Sequence, residues 1–172
     1  MENKDRSAYS GRIGLLIVSI TGFIFHFLYN FSGKNPVVGA FTPVNESIWE
    51  HLKLLFFPYV IYMTAEFIIF GKNIRGFLFA RIIGLLAGLI FIPTAFYTYT
   101  GITGSDFLIA DIIIYFLAVY ISFMSSEKRL SKGFEKNSPK TIPAVIIILC
   151  LTILFIGFTF YTPDAPIFIS PV

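Results

Sequence analysis

The stretch Phe41-Thr-Pro-Val-Asn-Glu-Ser-Ile-Trp-Glu-His-Leu-Lys53 opens a long apolar run. It places Glu46, Glu50, His51 and Lys53 at the start of one predicted helix, whereas charged residues are rare in the other apolar runs. An ionisable side chain is expensive at membrane depth unless it is paired or hydrated. This cluster is therefore the first candidate for a functional site.

The composition excludes a soluble globular protein. Of the 172 residues, 56% are hydrophobic and 13% are charged, whereas soluble domains contain about 25% charged residues. Several apolar runs reach the roughly 20 residues that a helix needs to cross a bilayer. We predict an all-α membrane helix bundle that forms a single domain over residues 1–172. Its five spans are predicted at about 11–31, 46–70, 76–99, 107–125 and 141–161.

The basic residues predict how the bundle is oriented. They concentrate in the N-terminal tail, the 71–75 loop and the loop at 126–140, and they are nearly absent from the alternate loops. Because cytoplasmic loops are enriched in Lys and Arg, we expect the N-terminus inside the cell, the C-terminus outside, and the plasma membrane as the location. The 126–140 loop should contact the anionic inner leaflet. A net charge of +3 distributed in this way argues against nucleic acid as a partner.

This orientation can be tested by labelling single cysteines with a membrane-impermeant reagent in a Cys150→Ser background. A cysteine placed in the 126–140 loop of cells should stay unlabelled until the membrane is opened, because that loop is predicted to be cytoplasmic. A cysteine in the 32–40 loop is the matched control and should be labelled in intact cells. Labelling of the 126–140 loop in intact cells contradicts the orientation.

The second span has polar residues on two of its faces. At about 100° per residue, Glu46, Glu50 and Lys53 fall on one face and His51 falls on another. A helix with two polar edges that need cover belongs in the middle of a bundle. Thr42 and Asn45 are alternative candidates for its N-cap, and Ser47 is a further capping residue.

The predicted topology brings a larger set of polar residues to the outer end of the bundle. This set forms a candidate polar pocket built from the first, second and fourth spans and capped by the first loop and the C-terminal tail. Its members are His26, Asn45, Glu46, Glu50, His51, Lys53 and Asp111. The shared depth of these residues carries the prediction, since no single spacing among them is diagnostic.

The pocket residues are compatible with two kinds of chemistry. His and carboxylate side chains are zinc ligands, so His26, Glu50 and Asp111 are candidate ligands of a divalent metal. Adjacent Glu50 and His51 point about 100° apart on a helix and are poorly placed to share one ion. A network of Glu, His, Asp and Lys without metal is the alternative, and a Ser47–His51 nucleophile pair is the weaker candidate.

Two further features predict how the helices pack. Glu66 and Arg81 flank the 71–75 loop at equal distances, so they should form an ion pair between the second and third spans. Gly84 and Gly88 form a small-xxx-small pattern that permits close helix approach. The pattern does not say whether the partner helix belongs to the same chain or to a second copy in an oligomer.

The outer-end motifs resemble a family of small bacterial membrane proteins known only as a domain of unknown function. The resemblance is carried by His26-Phe-Leu-Tyr29, Gly33-Lys-Asn-Pro36, the run Pro43-Val-Asn-Glu-Ser-Ile-Trp-Glu-His51, Tyr99-Thr-Gly-Ile-Thr-Gly104 and Phe158-Thr-Phe-Tyr161. Membership implies a multi-pass membrane fold and no known activity. The sequence predicts an outer-facing polar pocket that binds or processes a small or lipid-like ligand. The alternative is a structural or accessory subunit in which the polar cluster only serves helix packing, and whether the protein is an enzyme stays open.

Overall fold

The computed structural model describes residues 3–132 and 141–170. The described chain contains six α-helices and two short 3-10 helices, and no strand. The α-helices are α1 (Asn3–Phe31), α2 (Pro36–Gly39), α3 (Ile48–Ile69), α4 (Phe77–Thr103), α5 (Leu108–Lys132) and α6 (Thr141–Phe160), and the 3-10 helices are Gly71–Asn73 and Pro166–Phe168. Of the α-helices, all except α2 are long and apolar enough to cross a membrane. The prediction of an all-α bundle with five spans is confirmed, while the inside–outside orientation stays a prediction.

The start of α3 differs from its predicted position. Ser47 is the N-cap, with extended backbone, and its Oγ accepts a hydrogen bond from the Glu50 N–H at 3.3 Å. Asn45 Oδ1 in turn accepts from the Ser47 N–H at 2.9 Å and holds a turn ahead of the helix. Because Glu46 lies in that turn, it is not on the helical face with Glu50 and Lys53, and that expectation was wrong.

Three of the other spans, α1, α4 and α5, are longer than predicted at one end, whereas α6 ends one residue earlier than predicted. α4 continues to Thr103 and stops at Gly104, whose φ of 77° is left-handed and favours glycine. α5 continues to Lys132, so residues 126–132 of the predicted inner-leaflet loop are helical. The rest of that predicted loop, residues 133–140, lies outside the described residues.

The middle of the bundle is formed by α3 and α4. α4 packs against α3, α5 and α6, and α3 packs in addition against α1 and α6. More than half of the membrane-spanning part of each of these two helices is buried, whereas most of α1, α5 and α6 is exposed and apolar, as expected of lipid-facing helices. α3 therefore lies in the middle of the bundle, as predicted from its two polar edges.

Gly84 and Gly88 permit close packing within the chain. A methyl group on Gly84 would collide with the Ser122 backbone oxygen and the Ser126 side chain, and one on Gly88 would collide with Ser122 Oγ and the Ala118 oxygen. Both glycines are buried where α4 meets α5. They are covered by the same chain and do not offer the oligomer contact that the sequence left open.

A buried ion network joins three helices at the end of the bundle that carries Arg81, which we call the arginine end. Arg81 is fully buried between two phenylalanine rings. Its Nη2 lies 2.6 Å from Glu66 Oε1, which is the pair expected from the 71–75 loop. Its Nη1 lies 2.8 Å from Glu127 Oε1 and donates to Ser126 Oγ at 2.7 Å. The guanidinium therefore connects α3, α4 and α5 through charged and polar contacts.

Replacing Arg81 by Met should strongly destabilise the bundle. The change leaves the Glu66 carboxylate buried without its cation, and breaking a buried ion pair from one side costs about 3–5 kcal/mol. The matched control is Arg75→Met at an exposed position, which should cost less than about 1 kcal/mol. The free energy of unfolding in detergent micelles measures both, and equal losses in the two variants contradict the assigned role of Arg81.

Candidate functional site

The opposite end of the bundle gathers the titratable residues, and we call it the histidine end. His26 lies near the C-terminal end of α1, His51 in the first turns of α3, and Asp111 in the first turn of α5. The connection between α1 and α3 carries Glu46 to the same place. Three helices and one loop therefore meet at this end with His and carboxylate side chains.

His26, Glu46 and His51 form a compact group, which we call the histidine group. Each residue offers one nitrogen or oxygen atom, and these three atoms all lie within 4.8 Å of one another. His51 Nε2 lies 3.4 Å from Glu46 Oε2. The two imidazole rings have centroids 5.3 Å apart and are tilted by 37°. The contacts bring together α1, α3 and the loop between them.

The orientation of the His51 ring follows from its contact with the backbone. Its Nδ1 lies 3.0 Å from the Ser47 carbonyl oxygen. A carbonyl oxygen only accepts hydrogen bonds, so we assign the proton to Nδ1, and Nε2 faces Glu46. The Ser47 hydroxyl is engaged in capping α3, so the Ser47–His51 nucleophile pair considered from the sequence is not formed.

The other two members of the group are not fully paired. His26 Nδ1 is buried and makes no hydrogen bond with any residue that the structure describes. Glu46 has a side chain that is 68% exposed, although it contacts His51. The contact with the His51 side chain lowers the pKa of the Glu46 carboxyl below its usual value, against the opposite effect of partial burial. Glu46 is therefore held as a carboxylate beside the two imidazoles.

Lys53 belongs to a separate network on another face of α3. Its ammonium is fully buried and lies 2.7 Å from Glu50 Oε2. The same Nζ donates to the backbone oxygen atoms of Gly39 at 2.8 Å and Thr42 at 3.2 Å. A lysine ammonium has three donors, and all three are used here. Lys53 therefore ties the loop after α2 to α3.

Glu50 completes this network with hydrogen bonds to two further elements. Its Oε2 accepts from the Val44 N–H at 2.9 Å, and its Oε1 accepts from the Thr159 hydroxyl of α6 at 3.0 Å. Glu50 is thus occupied by Lys53, the loop and α6, and it does not join His26 and Asp111 as a metal ligand. The predicted ligand set was wrong at Glu50, because Glu50 and His51 leave α3 in different directions. The group within ligating distance is His26, Glu46 and His51, so His26 is the one member of the predicted set that belongs to it and Asp111 does not.

A cavity of about 270 Å³ opens beside the histidine group. Its wall combines titratable and apolar side chains. The titratable residues are His26, Glu46, His51, Asp106, Asp111 and Tyr115, and the apolar ones are Ile48, Leu54, Ile92, Phe96, Leu108 and Ile114. The lining residues include no Lys or Arg, so the wall carries more acidic than basic groups.

The composition of the wall corrects the predicted pocket. α4 contributes Ile92 and Phe96, although the third span was not expected to take part. Asn45, Glu50 and Lys53 are absent from the wall because they cap, pair and anchor the loop instead. The C-terminal tail was expected to cap the pocket, but none of its described residues lines the cavity.

The tail lies on the other side of α3. Phe168 packs on Trp49 with ring centroids 5.0 Å apart, and Phe155 and Phe158 of α6 contact the same indole. Trp49 is therefore enclosed by aromatic rings. This aromatic cluster fixes α6 and the tail against the start of α3.

Asp111 is positioned by a neighbouring helix. The Tyr99 hydroxyl of α4 donates to Asp111 Oδ1 at 2.5 Å and accepts from the Phe107 N–H at 3.2 Å. These bonds fasten the start of α5 to the end of α4 and fix one oxygen of the carboxylate. Tyr99 thus supports the cavity wall without lining it.

Tyr115 also lines the cavity, and this was not anticipated from the sequence. Tyr115, one helical turn after Asp111, donates to the Val18 oxygen of α1 at 2.9 Å. Gly22 lets α1 approach the Tyr115 hydroxyl and the Leu54 backbone oxygen closely. The Leu54 oxygen has no helical partner, since Pro58 lacks an N–H. The four-residue spacing of Asp111 and Tyr115 is the signal that would have revealed Tyr115.

Replacing Lys53 by Met should destabilise the protein by about 3–5 kcal/mol, because Glu50 stays buried without a cation. Adding Glu50→Leu should recover part of this loss, since the double variant removes the uncompensated charge. Thermal or chemical unfolding of the two variants in detergent gives the comparison, with Lys72→Met at an exposed position as the control. Strictly additive losses from Lys53→Met and Glu50→Leu show that the two residues do not act as a pair.

Comparison with known proteins gives a family and a distant likeness. The heme A synthases of Ehrlichia ruminantium strains Gardel and Welgevonden are 31% and 30% identical to the chain over 113 residues. Each match covers 61% of this chain and 33% of the synthase, so the chain spans about a third of the length of these curated relatives. No solved structure matches the chain. Over residues 2–172 it matches DUF6512, and it therefore belongs to this family of unknown function.

Proposed function

We propose that this multi-pass membrane protein binds a small amphiphilic ligand in the cavity at its histidine end. The observation that carries the proposal is the mixed wall of the cavity, which combines titratable residues with apolar ones. Binding sites for small molecules are typically apolar hollows with a few convergent polar groups. The cavity has this composition at the place where four spanning helices and two of their connections meet.

The apolar part of the wall favours a hydrocarbon tail. Leu54 of α3, Ile92 and Phe96 of α4 and Ile114 of α5 contribute to it. Each methylene group that leaves water for such a wall contributes about 0.8 kcal/mol. A short chain or ring therefore supplies most of the binding energy, and the polar part of the wall selects the head group.

The polar part of the wall favours a positively charged head group when no other cation is present. Glu46, Asp106 and Asp111 are three carboxylates, and no basic side chain other than the two imidazoles lines the cavity. Lys53 does not offset them, because it is paired with Glu50 on another face of α3. An amine at the end of a short apolar chain matches this arrangement of charge.

Packing alone accounts poorly for the histidine group. The Glu50–Lys53 pair on the same helix shows what a structural network looks like, since both charges are buried and every lysine donor is used. The histidine group is open by comparison, since the Glu46 side chain is 68% exposed. An open group beside a cavity supports ligand binding over a purely structural role.

The likeness to heme A synthase raises a heme as a second candidate ligand, because histidine is a common axial ligand of heme iron. The geometry favours the smaller ligand. The imidazole centroids of His26 and His51 are 5.3 Å apart, which leaves no room for a macrocycle between the two rings. The cavity of about 270 Å³ also lies below the roughly 300–1,000 Å³ of sites for larger ligands.

Octylamine, octanol and octanoate, which share one chain length, test the proposal. Their binding to metal-stripped protein in nanodiscs can be measured by native mass spectrometry. We expect octylamine to bind in a one-to-one complex and octanoate to bind least. Ile114→Phe should weaken octylamine at least about tenfold, because losing contact with two methylenes of about 0.8 kcal/mol each is enough for that factor. Ile113→Phe, at the neighbouring and 52% exposed position of α5, is the matched control.

Three outcomes oppose the proposal. Equal binding of the three octyl compounds denies head-group selection, and equal effects of Ile114→Phe and Ile113→Phe deny that the cavity is the site. No binding by any of them, with normal stability, supports the structural alternative. A visible Soret band in protein purified from heme-supplemented cells, abolished by His26→Ala, replaces the small amphiphile by the heme.

A further inference from the structure

We infer that His26, Glu46 and His51 form a binding site for one divalent transition-metal ion. This inference goes beyond ligand binding by the cavity and does not depend on it. It rests on the mutual distances of three ligating atoms, on the orientation of His51, on the unpaired nitrogen of His26 and on the charge of the group. Each of these observations concerns the histidine group itself.

The distances are close to those of a tetrahedral site. Zinc lies about 2.0–2.2 Å from His nitrogen and carboxylate oxygen, which separates neighbouring ligand atoms by about 3.3–3.6 Å. His51 Nε2 and Glu46 Oε2 are already 3.4 Å apart. The largest separation in the group is no more than 4.8 Å, so a closure of about 1.4 Å completes the site. Glu46 is exposed and precedes α3, which leaves its side chain free to make that movement.

His51 is oriented as metal-binding histidines generally are. Such histidines donate the ring N–H that faces away from the ion to a carbonyl or carboxylate, and this fixes the tautomer and the ring. His51 Nδ1 donates to the Ser47 carbonyl at 3.0 Å and leaves Nε2 towards Glu46. The position of that carbonyl is set in turn by the Ser47 cap of α3. The start of the helix therefore holds the ring in place before any ion arrives.

His26 has a buried polar atom without a partner among the described residues. Its Nδ1 is buried and makes no hydrogen bond with the described chain. A buried polar group without a partner is unfavourable by about 1–3 kcal/mol. An ion held at the group, directly or through a water molecule that it carries, gives this nitrogen a partner. The paired Glu50 on the neighbouring face shows no such deficit.

The donor set selects the kind of ion. Imidazole nitrogen suits zinc, copper, iron and nickel, whereas magnesium and calcium prefer oxygen ligands alone. With neutral imidazoles the group carries one negative charge, from Glu46. The group has three ligands among the described residues, which leaves a fourth position of a tetrahedral ion for water or a ligand, as in catalytic zinc sites. All three residues line the cavity, so a small ligand placed there lies beside the ion.

Zinc alone is the probe for the first test. Metal-stripped protein in detergent is titrated with zinc by calorimetry, and elemental analysis after desalting gives the stoichiometry. We expect one zinc per chain and an affinity that falls at least about tenfold in Glu46→Gln, since even the loss of an outer partner of a ligand has that effect. Asp106→Asn removes a carboxylate of the same cavity that is not in the group, so it is the matched control and should change the affinity less than about threefold.

Cobalt binding distinguishes coordination from general attraction of cations. Tetrahedral cobalt with His and carboxylate ligands gives visible absorption bands, and these should appear in the wild-type protein and in Asp106→Asn and be lost in His51→Ala and His26→Ala. Folding of the two histidine variants is checked by their helical circular dichroism. Glu46→Gln keeps the test valid if they fail to fold, because Glu46 is exposed and lies outside the helices.

Equal zinc affinity in the wild type and in Glu46→Gln overturns the inference, as does a loss of affinity in Asp106→Asn as large as that in Glu46→Gln. Failure here is distinct from failure of ligand binding, since octylamine binding is measured on metal-stripped protein. When both bind, the two cations should compete in one acidic cavity, and each should weaken the other by the same factor. If neither cation weakens the binding of the other, the zinc lies elsewhere.

Discussion

The cost of burying charge in an apolar bundle governs this structure. α3 carries Glu50 and Lys53 near one end and Glu66 near the other, and all three are buried. Each therefore needs a partner with good geometry, because an isolated buried charge is far more expensive than a paired one. Lys53 finds Glu50 and two loop carbonyls, and Glu66 finds Arg81 of α4. These contacts fix α3 at both ends and set the frame in which the histidine end is built.

The same end of α3 thus carries two polar groups. The Glu50–Lys53 pair is closed, because it is buried and fully paired, and the group of His26, Glu46 and His51 is open, because it borders the cavity. The Glu50–Lys53 pair holds the loop before α3, and that loop carries Glu46 to His51 and His26. The closed group therefore positions the open group. This arrangement separates a structural task from a binding task on two faces of one helix, although the residues that serve them are neighbours in sequence.

Much of the fold and part of the site follow from the sequence. The five spans are visible because lipid demands long apolar helices, and the equal depth of Glu66 and Arg81 follows from the short loop between them. The position of Glu46 did not follow, because Thr42, Asn45 and Ser47 are all good N-caps and propensity does not choose among them. In the structure α3 starts later than predicted, and Lys53 contacts the segment before the helix through the backbone oxygen atoms of Gly39 and Thr42. Glu127 was missed as a partner of Arg81 because a sequence does not show which helices are neighbours across the bundle.

The acidic wall of the cavity depends on where helices begin. Glu46 immediately precedes the cap of α3, Asp106 precedes α5, and Asp111 lies in the first turn of α5. The N-terminal end of a helix carries a partial positive charge from its unpaired N–H groups. Two such ends face this part of the bundle, and they stabilise carboxylates that would otherwise repel one another. Partial charges at helix ends act over about one turn and offset only part of the repulsion. A full positive charge in the cavity, as an amine or as a metal ion, removes the rest, and this is the physical reason for expecting a cation at the histidine end.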